Sequence, residues 1–192
     1  MLKRVLLSVL MAAPLAGCLS LGGDPPDQLL TLTPVRGAAA GFATTGPATA
    51  ALAVAEPLAS QRLNVTRVPV QTSDSSLAYL KDAVWVERPA RLFQNLLAET
   101  IRAGGNRLVI THGELGLNAS TQLSGELLDM GYDATRGSVV VRYDAVLQQV
   151  DGPVRTRRFE SSVPAVAEAE PVAAALNQAA NEVARQVAEW VG

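Results

Sequence analysis

The chain has 192 residues, 16 basic against 18 acidic, with one cysteine and one histidine. A net charge of −2 gives no electrostatic footprint for nucleic acid, and the sequence holds no polybasic membrane patch. A lone thiol forms no internal disulfide, so the fold must stand on its hydrophobic core.

The chain opens with Lys3 and Arg4, followed by an apolar run from Val5 to Leu15 broken only by Ser8. That run is shorter than the roughly 20 residues that span a bilayer. It ends in Leu15-Ala16-Gly17-Cys18. A basic start, a short apolar core and small residues before a cysteine form the pattern of a bacterial lipoprotein signal peptide. The pattern predicts that residues 1–17 are removed, that the Cys18 thiol carries diacylglycerol and that its new α-amine takes a further acyl chain, palmitate. An ordinary buried thiol is the alternative. A catalytic cysteine would want a basic partner, and nothing in the sequence links Cys18 to the only histidine, His112. Each buried methylene is worth about 0.8 kcal/mol, so two or three chains hold a protein at the membrane. Leu19 follows Cys18. Without an Asp at that place, sorting leans toward the periplasmic face of the outer membrane.

Roughly 175 residues remain after cleavage, which suits one compact domain. Loss of Lys3 and Arg4 takes the basic count from 16 to 14 and leaves the mature chain mildly acidic. Residues 18–27 read as the lipidated N-terminus and a flexible tether, because Ser20, Gly22, Gly23, Asp24, Pro25, Pro26 and Asp27 build no packed element. About nine extended residues reach roughly 30 Å. Residues 28–192 then form the periplasmic domain.

Gln28 to Thr33 reads as a strand stopped by Pro34, and Gly37 to Pro47 as a loop. Leu52 and Val54 mark a short strand ended by Pro57. Leu63 to Val70 alternates as another, with Pro69 suggesting an edge or a strand end. A helix is predicted over Pro89 to Ala103: Leu92, Phe93, Leu96, Leu97 and Ile101 recur at helical spacing, and Gly104-Gly105 ends it. Arg107 to Thr111 reads as a short buried strand. Gln122–Asp133, Ser138–Val150 and Val154–Ser162 alternate as an antiparallel meander, with Gly125 and Gly131 as places for a bulge. A closing helix from Pro171 to Val191 carries the stripe Val172, Leu176, Ala179, Val183, Val187 and Trp190. The fold class is therefore α+β: a mixed, largely antiparallel twisted sheet packed against two main helices.

Searching for chemistry yields little. There is no phosphate-cradling glycine loop, no nucleophile elbow and no pair of histidines at metal-ligand spacing. His112 reads as an ordinary histidine at a strand end. Asp129, Asp133 and Asp144 lie on or near strands, but strand residues make no dyad without a known pairing; Asp144, between Tyr143 and Ala145, reads as solvent-exposed on the polar face. No catalytic residue, cofactor or metal site is expected. Trp85, in the segment Tyr79 to Pro89, either caps the core or anchors a partner, since Trp and Tyr are enriched in binding hot spots. Tyr79 and Trp85 are thus the candidate docking residues.

The order of motifs resembles the ABC-type transport auxiliary lipoprotein family, whose members accompany MCE-type ABC transporters. The lipobox is followed by Leu30-Thr31-Leu32-Thr33-Pro34, then Leu52 to Pro57, Arg62 to Val65, Tyr79 to Trp85 and Arg91 to Leu97; the meander and the Ala-rich last helix complete it. The resemblance implies an α+β domain that docks periplasmic MCE protein and, through it, the permease and ATPase. The transported material would be phospholipid or another hydrophobic substrate. It carries over no catalytic residues. A homo-oligomer enters only by analogy with the oligomeric tunnels of such systems. The rival reading is a lipid carrier that holds an acyl chain between sheet and helix.

Overall fold

The computed structural model describes residues 28–105, 107–111 and 119–192. Cys18 and His112 lie outside the described residues. In chain order the elements are β1 (Leu52–Val54), β2 (Leu58–Ala59), β3 (Arg67–Ser73), β4 (Ser76–Val84), α1 (Pro89–Ala103), β5 (Val109–Ile110), β6 (Thr121–Asp133), β7 (Ser138–Gln149), β8 (Val154–Pro164) and α2 (Ala169–Val191). The fold is α+β.

Strand β6 is the spine of the eight-stranded sheet. One of its edges pairs antiparallel with β7 from end to end, Thr121 opposite Gln149 and Asp133 opposite Ser138. The other edge takes three short parallel strands in turn: β1 at Leu52↔Thr121, β2 at Leu58↔Glu126 and β3 at Val70↔Tyr132. β8 continues the meander outward from β7, and β4 and β5 close the far side.

A strand of 13 residues is long enough for its twist to carry side chains off the core. The register shift between Leu127 and Asp129 corrects this. Leu128 is the extra residue. Before it, the odd positions Leu123 and Leu127 are buried; after it, the even positions Met130 and Tyr132 are. The bulge therefore falls between the two glycines and not at either. Gly125 and Gly131 serve close approach instead. A Cβ at Gly125 would lie 2.0 Å from the Asp144 carbonyl oxygen, and one at Gly131 would lie 2.5 Å from that of Pro69.

Both helices cover one face of the sheet. Val139, Val141, Tyr143, Ala145 and Leu147 of β7 are buried there, under Val172, Leu176, Ala179, Val183 and Val187 of α2. The Phe93 ring of α1 meets Tyr143 edge-on at 5.3 Å. Burial pushes the Tyr143 phenol well above its ordinary value, so it stays a neutral donor to the Ser124 carbonyl at 2.8 Å. Buried Gln94 donates from Nε2 to the Val54 carbonyl at 2.8 Å, which ties α1 to β1.

Helix α1 has the predicted bounds, with Pro89 in its first turn. Gly104 is still right-handed, and Gly105 at φ +73° makes the left-handed stop. Three readings need correction. Residues 28–33 form no ladder: Leu30 makes a single parallel bridge to Trp85. The strand expected from Leu63 begins at Arg67, because Gln61–Leu63 coils into a 3-10 turn that buries Leu63. Pro69 is not at an edge, since β3 lies between β4 and β6; a register shift between Arg67 and Pro69 accommodates its missing N–H.

Replacing Gly125 by Ala should cost about 3 kcal/mol, since the backbone at φ +151° is strained for any side chain and the Cβ has no room. Gly46→Ala, with nothing within 4 Å, should leave the thermal midpoint unchanged.

Candidate functional site

The first candidate surface is the sheet face opposite the helices. Alternation on β7 sends Val140, Arg142, Asp144 and Val146 there. Register places Glu160 and Asp129 beside Arg142, and Arg158 and Glu126 beside Asp144. Charge alternates in the first row, Asp129–Arg142–Glu160, whereas the second sets two acids, Glu126 and Asp144, side by side before Arg158. Arg142 Nε donates to Glu160 Oε2 at 2.6 Å, and Arg158 donates to both Asp144 oxygens at 2.6 Å. Asp129 lies 3.4 Å from Arg62 and 3.9 Å from Arg142. The exposed Arg142–Glu160 and Arg158–Asp144 pairs contribute about 0–1 kcal/mol each, so their weight falls on recognition more than on stability.

Burial pushes the Asp129 carboxyl above its ordinary value despite the two arginines beside it. The Arg158 hydrogen bond holds Asp144 below its ordinary value, and Arg142 does the same for Glu160. Asp133 is lowered by its bond to the Thr135 hydroxyl, which closes the β6–β7 turn. The three aspartates of the sequence search therefore work as ion-pair and turn groups. Beside them Arg62, Pro69, Leu77, Gly131, Val140 and Arg142 help to line a groove of about 330 Å³.

Tyr79 flanks this face. It stands two residues from Leu77 on β4, half-buried, with the Arg67 guanidinium 4.5 Å above its ring. Trp85 goes elsewhere. It follows β4, is 1% exposed and sits among the core residues, with no hydrogen-bond partner for Nε1 among the described residues. The structure does not bring the two rings together: Tyr79 pairs with Pro69, whereas Trp85 donates its backbone N–H to Thr66 at 2.7 Å.

The second candidate is the strap that follows the predicted tether. Leu30 donates to the Val84 carbonyl at 2.7 Å and accepts from the Val86 N–H at 2.9 Å. From there residues 31–38 cross both helices. The Thr33 N–H donates to Asn177 Oδ1 and the Val35 N–H to Asn181 Oδ1, each at 2.8 Å. Asn181 Nδ2 returns a bond to the Thr33 carbonyl at 2.9 Å. The Ala38 N–H reaches Glu99 Oε1 on α1 at 2.6 Å. Sequence reasoning missed this clasp. Its one signal was a pair of asparagines at i and i+4, poor helix formers in an alanine-rich helix. Among the described residues no group of His, Cys, Asp and Glu is placed to hold a metal, and no helix is long and apolar enough to cross a membrane.

The sequence matches the family described as ABC-type transport auxiliary lipoprotein component over residues 30–188. The chain belongs to that family. Membership makes it an auxiliary lipoprotein of an ABC transport system, anchored in the cell envelope. The matched span holds the strap, the sheet and both helices almost whole. No curated protein matches. Among solved structures, a Xanthomonas campestris protein of family DUF330 is similar at 20% identity and TM-score 0.64, over 86% of this chain and 92% of its own. An uncharacterized protein is similar at 17% identity and TM-score 0.66, over 76% of this chain and 95% of its own. At these identities the likeness is one of fold.

Asn181→Ala removes the partners of Val35 N–H and Thr33 C=O, at a cost of about 1–2 kcal/mol for bonds of this exposure. Amide exchange should quicken at Val35 and stay slow along the buried face of α2. Glu182, held down to about 2 from 4.5 by Arg185, adds stability that is complete above 4.5 and lost as pH falls through about 2. Glu182→Gln should therefore flatten the acid limb of a plot of melting temperature against pH.

Proposed function

We propose that this auxiliary lipoprotein is non-enzymatic and docks the periplasmic MCE component of its transporter. In this reading acylated Cys18 holds it to the periplasmic face of the outer membrane and residues 19–27 tether it. The family match across nearly the whole domain carries the proposal. The charged sheet face supports it, because both helices lie on the other side and the ion pairs give orientation specificity. Tyr79 stands at the margin of that face as a contact residue, and buried Trp85 supports it indirectly by fixing the place where Leu30 joins the domain.

Carriage of an acyl chain between sheet and helix is the weaker reading. The seam is filled by Ala175, Leu176, Ala179, Val183 and Val187 against β7, all buried. Separating them would expose apolar surface worth about 25 cal/mol per Å².

The lipidated protein should capture MCE protein from the same envelope at micromolar concentration. Charge reversal at Arg142 and Arg158 should weaken capture about tenfold or more, as loss of two interfacial charges does. Failure of the folded protein to bind at micromolar concentration would sink the proposal. Cys18→Ser should fold normally and fail to support transport in cells.

A further inference from the structure

The β7–β8 hairpin tip and the end of α2 make a surface that lies apart from the proposed docking face. Val150 is 67% exposed and Val154 59% exposed, on either side of the turn Asp151-Gly152-Pro153. The tip is fixed in place, because the Val150 N–H donates to the Ser120 carbonyl at 2.8 Å. Next to Val154, alternation turns Arg155 and Arg157 to the helix side of the exposed edge strand β8. The Arg155 guanidinium lies 5.2 Å from the centre of the half-buried Trp190 ring, and that of Arg157 lies 5.0 Å from Phe159. Trp190 in turn meets Phe159 edge-on at 5.7 Å. Among the described residues neither arginine has an ion pair. Arg158, on the other face, is neutralised by Asp144. Asp151 is the one acid between Val150 and Arg158.

We infer that this tip rests on the anionic surface of the bilayer that holds the protein. The chemistry is interfacial: two exposed valines, a tryptophan at the boundary, and two exposed arginines whose guanidinium groups rest on aromatic rings. No polybasic run in the sequence announces it; the fold assembles it from the hairpin and the last turn of α2. The length of the tether selects the occupant. Cys18 and Gln28 are ten positions apart, a span of roughly 30–35 Å when extended, so the headgroups stand permanently within reach at high effective concentration. A contact too weak to recruit a free protein is then enough to orient an anchored one. This inference rests on acylation of Cys18.

The sequence has one cysteine, so once Cys18 is acylated Val154→Cys supplies a single free thiol for a fluorophore. The labelled lipidated protein is placed in vesicles of phosphatidylethanolamine and phosphatidylglycerol that carry a nitroxide lipid. A control label goes to Ala134→Cys, in the exposed turn at the far end of β6. Quenching should be strong at 154 and weak at 134. It should be lost on phosphatidylcholine vesicles, and lost again in Arg155→Glu/Arg157→Glu with its melting temperature unchanged. Equal quenching at the two positions overturns the inference, as does quenching at 154 that ignores lipid charge or the double substitution. Flotation separates the two levels: vesicles that carry the protein without quenching at 154 defeat the tip contact alone, whereas protein that does not float defeats the anchor and the contact with it.

Discussion

Everything in this domain depends on one strand keeping its apolar side buried along its full length. Among the described residues β6 is the one strand that pairs with β1, β2, β3 and β7. A uniform alternation would have presented Met130 and Tyr132 to water. The extra residue at Leu128 reverses the parity in mid-strand and brings both back under the core. Two glycines complete the arrangement, since only a residue without a Cβ lets the Asp144 and Pro69 carbonyls approach as closely as the pairing requires. The same parity reversal sets Asp129 beside Arg142, so the bulge that closes the core also shapes the charged face.

The division of labour between the two sheet faces follows. One face is spent on stability, packed by small residues of α2 and by the Phe93–Tyr143 contact. The other keeps charge at cross-strand positions, where exposed pairs add little to stability and much to orientation. The sheet thus has two chemically distinct sides. The strap lies on the helical side, leaving the charged face clear of it.

The elements legible in the sequence were those whose pattern is local. Pro89, the Leu92-to-Ile101 spacing and Gly105 set the bounds of α1. The alternation of Val139 to Leu147 marked β7, and Asp151-Gly152-Pro153 marked its turn. β4 was missed because Ser76–Val84 is exposed or half-buried at nearly every position, so no buried face disciplines its sequence. Pro69 misled because its missing donor falls at a register shift that depends on a partner strand. Tyr79 and Trp85 looked alike as aromatic residues six positions apart, yet one edges a surface and the other fills the core. The asparagine clasp could not be read, since it joins residues 144 and 146 positions apart.

The strap also has a mechanical meaning. It is held by side-chain bonds to Asn177, Asn181 and Glu99 and by one bridge at Leu30, in series along the chain. A pull delivered through the N-terminus meets these bonds one at a time, as in unzipping, whereas the ladders of β6 lie behind them and would have to shear together. The strap gives way first. Release of residues 28–38 adds roughly 35 Å of chain while the sheet stays folded. The domain thus carries a built-in extension that lets the distance between the N-terminus and the sheet change under tension while the sheet stays folded.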